Sequence, residues 1–269
     1  MRLSSWVSLA LLFSASGYAK VEEVEFIGYF AVGAGYQHAQ IAALDQSVNK
    51  RLLLNLSADV SYRNFFIESD ERRNVLRYGS GIIGYYLWQQ EHSSLALIGT
   101  GYHQAIGPDL NTAFGRQHIA ELEGLSLRDS DFLLGLRYQY LEENHYWAIE
   151  VGQDVDSHYS QQLRFLYSYR QPIRNWDLYY NAGLSWSAAK LVDYYYGISA
   201  LESNPKRAEY HAGAGQQLHV GVSGLYPLSP DWLFEMSVAA NVSSSAYTNS
   251  PLSSRDVELL SLVKFRYVF

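Results

Sequence analysis

The sequence predicts an all-β protein: a closed antiparallel up-and-down transmembrane β-barrel of about 12 strands, with 10 or 14 as alternatives, behind a cleaved N-terminal signal peptide. Three observations predict it. Apolar and polar residues alternate with a period of two in run after run, the mark of strands with two unlike faces. No stretch after the leader holds eighteen consecutive apolar residues, so a transmembrane helix is not expected. The chain carries 23 Tyr, 11 Phe and 6 Trp but only 17% charged residues, and aromatic rings favour both strands and membrane–water interfaces.

The leader comes first. Arg2, an apolar stretch from Trp6 to Phe13 and the small residues of Gly17-Tyr18-Ala19 have the layout of a secretory signal, too short to span a bilayer. Residues 1–19 are therefore expected to be removed, leaving one barrel domain over 20–269. Without Arg2 the chain has nineteen basic residues against twenty-seven acidic ones, which excludes a broad basic face for nucleic acid. It has no cysteine. That excludes disulfides, thiolate metal sites, a cysteine nucleophile and a thioether-linked lipid anchor.

Strands are expected near 25–36, 51–59, 62–69, 77–88, 94–102, 131–141, 145–153, 161–171, 175–187, 211–226, 231–243 and 256–269. In "FLLGLRYQY", Phe132, Leu134, Leu136, Tyr138 and Tyr140 oppose Leu133, Gly135, Arg137 and Gln139. In "WDLYYNAGLSWS", Trp176 and Trp186 stand ten residues apart on one parity. Ten residues at a strand's rise, tilted by about 45°, cover a bilayer's hydrocarbon core, so such rings mark its two borders. The stretch "LNLSADVSYRNFFIES" is expected to turn at 60–61.

The connections alternate in length. Short ones are expected at 60–61, 89–93, 142–144, 172–174 and 227–230, and long ones at 37–50, 70–76, 103–130, 154–160, 188–210 and 244–255. Brief turns at one end and long loops at the other are the layout of an outer-membrane barrel. Lipid offers backbone amides no partner, so such a sheet must close on itself and its last strand must pair with its first.

That last strand, "VELLSLVKFRYVF", places Val257, Leu259, Val263, Phe265, Tyr267 and Phe269 on one parity and Glu258, Lys264 and Arg266 on the other. Arg51, Asp59, Arg137, Glu150, Arg164, Arg170, Asp177 and Glu235 also fall on the polar parity of their strands. All eleven charges are expected to face the lumen. They either line a solute path or fill a narrow barrel with mutual ion pairs. Tyr194, Tyr195, Tyr196, Gly197, Ile198 and Ser199 make an unusually apolar external loop. It is expected either to fold into the mouth as a plug or ligand platform, or to extend a strand above the membrane.

Enzymatic signals are lacking. The eight histidines form no H-E-x-x-H and no i, i+4 pair, and G-x-S-x-G is absent. Asp154, Asp156 and His158 suggest either a divalent-cation cradle or a solvated turn. No cofactor and no resident metal are expected.

Several segments carry a family resemblance. The terminal "FRYVF" looks like the aromatic signature, here Phe265, Tyr267 and Phe269, by which bacterial barrels are delivered to the outer-membrane assembly machinery. Together with "DYYYGISALES" at 193–203, "YHAGAGQQLHVGVSGLYPLSPDW" at 210–232 and "NSPLSSRD" at 249–256, it resembles the MltA-interacting protein (MipA) / OmpV family of outer-membrane proteins. The loop "QAIGPDLNTAFGRQHIAELEG" departs from that pattern.

The resemblance implies a location in the outer membrane of a Gram-negative bacterium, in contact with its lipid. It implies a non-enzymatic scaffold that binds a lytic murein transglycosylase and a murein synthase at the periplasmic face. A small-solute channel and a surface adhesin or receptor are the alternatives, followed by an outer-wall phospholipase. Glu142, Glu143, Arg174 and Asp231 are the charges the short turns offer a partner.

Overall fold

The computed structural model describes residues 24–41, 44, 52–69, 81–112 and 115–269, with the side chains of 52–55, 111 and 112 left aside. The expected signal peptide and Arg51 lie outside the described residues.

Alternation produces strands, as expected. They are β1 Glu25–His38, β2 Leu52–Tyr62, β3 Phe65–Glu68, β4 Ile82–Gln89, β5 Ser93–Thr100, β6 Asp109–Thr112, β7 Gly115–His118, β8 Leu133–Glu142, β9 His145–Asp154, β10 Gln161–Ile173, β11 Trp176–Ser187, β12 Gly215–Pro227, β13 Trp232–Ser243 and β14 Val257–Val268. All but β6 and β7 form one closed antiparallel barrel of twelve strands, each beside its sequence neighbour in the wall. The separate β6–β7 hairpin belongs to the long loop between β5 and β8.

Closure runs through β1 and β14, paired from Tyr29↔Val268 to His38↔Leu259. Phe269 then exchanges two backbone hydrogen bonds with Gly28, at 2.9 and 3.0 Å. A closed ladder leaves no edge amides facing lipid.

The pleat separates two chemistries. On β11, Leu184 is 49% exposed on the outer face, and the adjacent Ser185 is 2% exposed toward the lumen. Phe165 lies opposite Leu184 outside, and Arg164 lies opposite Ser185 inside. A slip of one residue would exchange the faces.

Three connections at one end are two-residue turns, Arg63-Asn64, Glu143-Asn144 and Arg174-Asn175. Their first residues adopt φ values of 55°, 42° and 56°. The first of these corrects the turn expected at 60–61. Nothing in "DVSYRNFFI" is a glycine or proline, so alternation reads on through the bend, and Arg63 takes the left-handed conformation without the residue that usually signals it.

The other end carries the long loops, and these contain the helices. Helix α1 spans Ala189–Tyr196 and a single turn, α2, spans Ser245–Thr248. The strand-extension reading of 194–199 is therefore overturned: Tyr194, Tyr195 and Tyr196 are helical. Leu191, Val192 and Tyr195, at i, i+1 and i+4, are all buried, which is helical rather than strand periodicity.

Candidate functional site

The loops at the α1 end share one apolar core. Ile41 joins it from the β1–β2 loop, and Ile106, Ile119 and Leu122 from the β5–β8 loop. Leu191, Val192, Tyr195 and Ile198 come from the β11–β12 loop, and Tyr247 and Leu252 from the β13–β14 loop. These loops leave the rim at positions spread around the barrel. A core common to all of them must lie across the mouth.

Buried polar contacts fix this cap. The Arg128 guanidinium donates to both oxygens of Glu202, at 2.6 and 3.0 Å, and to the carbonyls of Tyr194 and Gly197. One side chain of the β5–β8 loop thereby holds the C-terminal end of α1. Glu202 also accepts from Ser126 and Ser199. Burial pushes the Glu202 carboxyl upward, but the hydrogen bonds from Arg128 and Ser126 outweigh it and hold the group well below the usual carboxylate range. Tyr195 donates to the carbonyl of Asp129 at 2.8 Å, and Ala212 N–H donates to Asp193 at 2.7 Å. Arg255 reaches the Ala39 carbonyl at 2.8 Å, tying the β13–β14 loop to the β1–β2 loop.

A second cluster joins cap to wall. Asp131 accepts the backbone N–H groups of Tyr102 and His103 at 2.7 and 2.9 Å and is 2.6 Å from the His103 ring. That ring stacks on Tyr195 at 4.6 Å, and the buried His158 meets the same tyrosine edge-on. Burial raises the Asp131 pKa, but the hydrogen bonds from His103 and His158, with the charge on His103, more than reverse this and leave it well below the ordinary value. The Tyr195 phenol is pushed up, first by burial and then by the Asp131 charge.

Beneath the cap the lumen is polar and crowded. Tyr102 donates to Glu150 at 2.7 Å, and the Arg164 guanidinium lies 4.3 Å over the Tyr102 ring. Arg137, fully buried, makes a two-point pair with Glu68 at 2.8 and 3.0 Å and stands opposite Glu150. Glu235 binds Arg266 at 2.6 Å and Lys264 at 3.4 Å. Arg170 meets Asp177 at 2.8 Å near the turn end. Glu258 accepts from Gln37 and Asn241 at 2.6 and 3.2 Å, and Tyr29 donates to Asp59 at 3.1 Å. Both signs are interleaved, and these charges are held by ion pairs and by neutral side chains of the lumen.

Tyr267 and Phe269 lie on the outer wall at the turn end. Tyr267 packs on Trp232 at 5.2 Å and Phe269 on Phe26 at 6.4 Å. Phe265 sits outward beside Phe234 at 5.3 Å. These rings belong to a band of aromatic contacts at that rim. Gly197 and Ser199 follow α1, the former giving its carbonyl to Arg128 and the latter binding Glu202.

In the loop containing Asp154, Asp156 and His158, Asp156 is exposed as in a solvated turn, whereas Asp154 and His158 turn inward. Asp154 is buried and accepts backbone N–H groups from Phe132, Ser157, His158 and Tyr159. Among the described residues no three His, Asp or Glu side chains are grouped to hold a metal ion. Ser185, His219 and Asn241 do form a hydrogen-bonded line across β11, β12 and β13. They lie in mid-strand with neighbours paired on both sides, where amides engaged in the ladder cannot turn to stabilise an oxyanion.

Sequence reading missed Arg128, Glu202, Asp131 and His103. An arginine and a glutamate 74 residues apart carry no spacing signal, and His103 and Asp131 fit no metal or nucleophile motif.

Omp26La of Vibrio anguillarum is 30% identical over 76 residues, which cover 28% of this chain and 30% of its own length. The 24 kDa outer membrane protein of Pasteurella multocida is 29% identical over 89 residues, 32% of this chain and 35% of its own. OmpV of Vibrio cholerae is 29% identical over 76 residues, 28% and 30% of the two lengths. The matched stretches thus span about a third of these relatives. Among solved structures, OmpT of Vibrio cholerae aligns over 91% of this chain and 97% of its own at 8% identity and a TM-score of 0.44. The NanC porin aligns over 88% and 98% at 6% identity, also with a TM-score of 0.44. Scores at that level add nothing to the topology described above. The closed barrel with its apolar outer wall, and relatives named as outer membrane proteins, place the chain in the outer membrane of a Gram-negative bacterium. Residues 30–269 match the family model described as "MltA-interacting protein MipA", and the chain belongs to that family.

Proposed function

We propose that this protein is a closed, non-enzymatic scaffold, anchored in the outer membrane, that docks a lytic murein transglycosylase and a murein synthase at its periplasmic rim. The observation that carries this reading is the cap: four loops share one core across the mouth, above a lumen whose charges are engaged in ion pairs and hydrogen bonds. A solute path needs groups free to exchange partners with a passing ion, and these are engaged. The family name supplies the partner class. The partner's share of the contact has to be large, because the turns present only short exposed segments such as Glu142-Glu143 and Leu228–Asp231.

The test has two arms. Purified protein in planar bilayers is expected to give no conductance above the bare membrane, and affinity capture from solubilised envelopes is expected to enrich murein-cleaving and murein-synthesising enzymes. Steady conductance in the first arm, or recovery of neither enzyme class in the second, would remove the scaffold reading.

A second reading, a surface receptor or adhesin, rests on Leu201. It is 98% exposed at the tip of a loop that Glu202 holds rigid. Cells carrying Leu201→Asp should then adhere less than wild-type cells at equal surface expression.

A further inference from the structure

The outer wall carries an apolar groove of about 340 Å³ near the turn end, lined by Ile173, Trp176, Leu178, Val222, Gly224 and Met236. Its floor exists because residue 224 has no side chain. Gly224 stands on the outward parity between Leu178 and Met236 in the registers of β11, β12 and β13. A Cβ built there would come within 3.1 Å of both Leu178 and Trp176. Trp176, packed against Tyr226 and Phe234, forms one wall. Apart from Ser237 the lining is apolar, so water finds few partners there. A methylene is close in size to a water molecule, whose share of the liquid is about 30 Å³, so the groove holds roughly ten carbons of one chain.

The rim supplies a charge. Ile173 leads directly into Arg174, which is exposed in the β10–β11 turn with φ of 56° and makes no hydrogen bond or ion pair among the described residues. The nearest acid in sequence, Asp177, is engaged by Arg170 on the lumen side. Arg174 thus puts a fork of donors one residue along the chain from the groove-lining Ile173, in an exposed turn at the periplasmic end of the wall. Such a fork pairs with a lipid phosphodiester, and favours a headgroup that carries no ammonium of its own to oppose the guanidinium.

We propose that this groove is a binding site for an anionic glycerophospholipid of the periplasmic leaflet, with one acyl chain over Gly224 and the phosphate on Arg174. The site is independent of whether murein enzymes dock at the rim.

Native mass spectrometry of the barrel released from nanodiscs of equal phosphatidylglycerol and phosphatidylethanolamine tests it. Wild-type protein should retain one lipid, phosphatidylglycerol favoured about five-fold. Arg174→Gln should keep a lipid but bring that ratio to about one, and Met236→Trp, which fills the groove, should retain none. If Met236→Trp fails to insert, Arg174→Gln alone decides. A preference unchanged in Arg174→Gln, or no retained lipid in wild type, overturns the proposal. So does a wild-type dimer that Met236→Trp dissolves, which would make the groove an interface between two copies of the chain.

Discussion

The two ends of the barrel solve one problem in opposite ways. At the turn end the chain reverses in as few as two residues, as at Glu143-Asn144 and Arg174-Asn175, and what lies there is a band of rings on the outer wall. At the loop end the connections are too long to be held by the ladder, and they build a core of their own. A long loop over a membrane surface stays ordered only by burying enough of its own apolar surface to offset its conformational entropy. The cap does so by pooling residues from several loops. One end is therefore stabilised locally, the other only collectively. Disturbing one contact should spread through the cap and remain local at the turns.

The sharpest test of that difference is Arg128→Ala. It leaves Glu202 buried beside two hydroxyls without its cation, and breaking a buried pair in this way costs about 3–5 kcal/mol. Hydrogen exchange at pH 7 should quicken together in 101–132 and 188–214, loops with no chain continuity between them, while β8–β14 keep their protection. Loss confined to the immediate neighbours of Arg128 would show that the loops are not one unit.

Next in size is the wall common to both ends. Val220 sits in mid-strand on β12, facing outward between Ala182 and Ala240. Val220→Arg should cost about 2–4 kcal/mol in denaturant unfolding from lipid, and Val220→Leu should be nearly neutral. An arginine tolerated there would mean that this face is not in hydrocarbon. This parity is also why the wall was legible in the sequence. Each lipid-facing strand repeats the same two-residue rule, so twelve strands and the inward charges could be read from local pattern alone. The cap obeys no local rule. Tyr195 is fully buried by Asp129 and His103, from the β5–β8 loop, and by His158, from the β9–β10 loop, and only the folded rim brings them together. The helical spacing of Leu191, Val192 and Tyr195 was present in the sequence, but eight residues flanked by strands read equally well as either period.

Acid should separate the ends as well. Asp131 and Glu202 both have native pKa values below their unfolded ones. A depressed carboxylate stabilises the fold fully above its unfolded pKa, and the contribution is lost as pH falls through the native value. The cap should therefore hold its strength down to about pH 4 and weaken progressively below it. Among the described residues, the aromatic band at the turn end is fastened by ring contacts rather than by a buried carboxylate. An acid-active protease should begin to cut within 101–132 and 188–214 below that pH while the short turns stay intact. Equal susceptibility at pH 6 and pH 3 would remove these two carboxylates as the cap's fastening.

The smallest expected effect lies at the turns, and its sign is the informative part. Glu143 is exposed and adopts φ of 42°, a left-handed conformation that costs an L-residue roughly 1–2 kcal/mol and glycine almost nothing. Glycine also gains more freedom in the unfolded chain, which takes back about 0.5–1 kcal/mol. Glu143→Gly should therefore stabilise the barrel by a few tenths of a kcal/mol, up to about 1. The gain should show in the unfolding midpoint without changing its slope, and hydrogen exchange in the cap should not respond. A change in cap exchange would mean that the ends communicate through β8 and β9, and the division between local and collective stability would not hold.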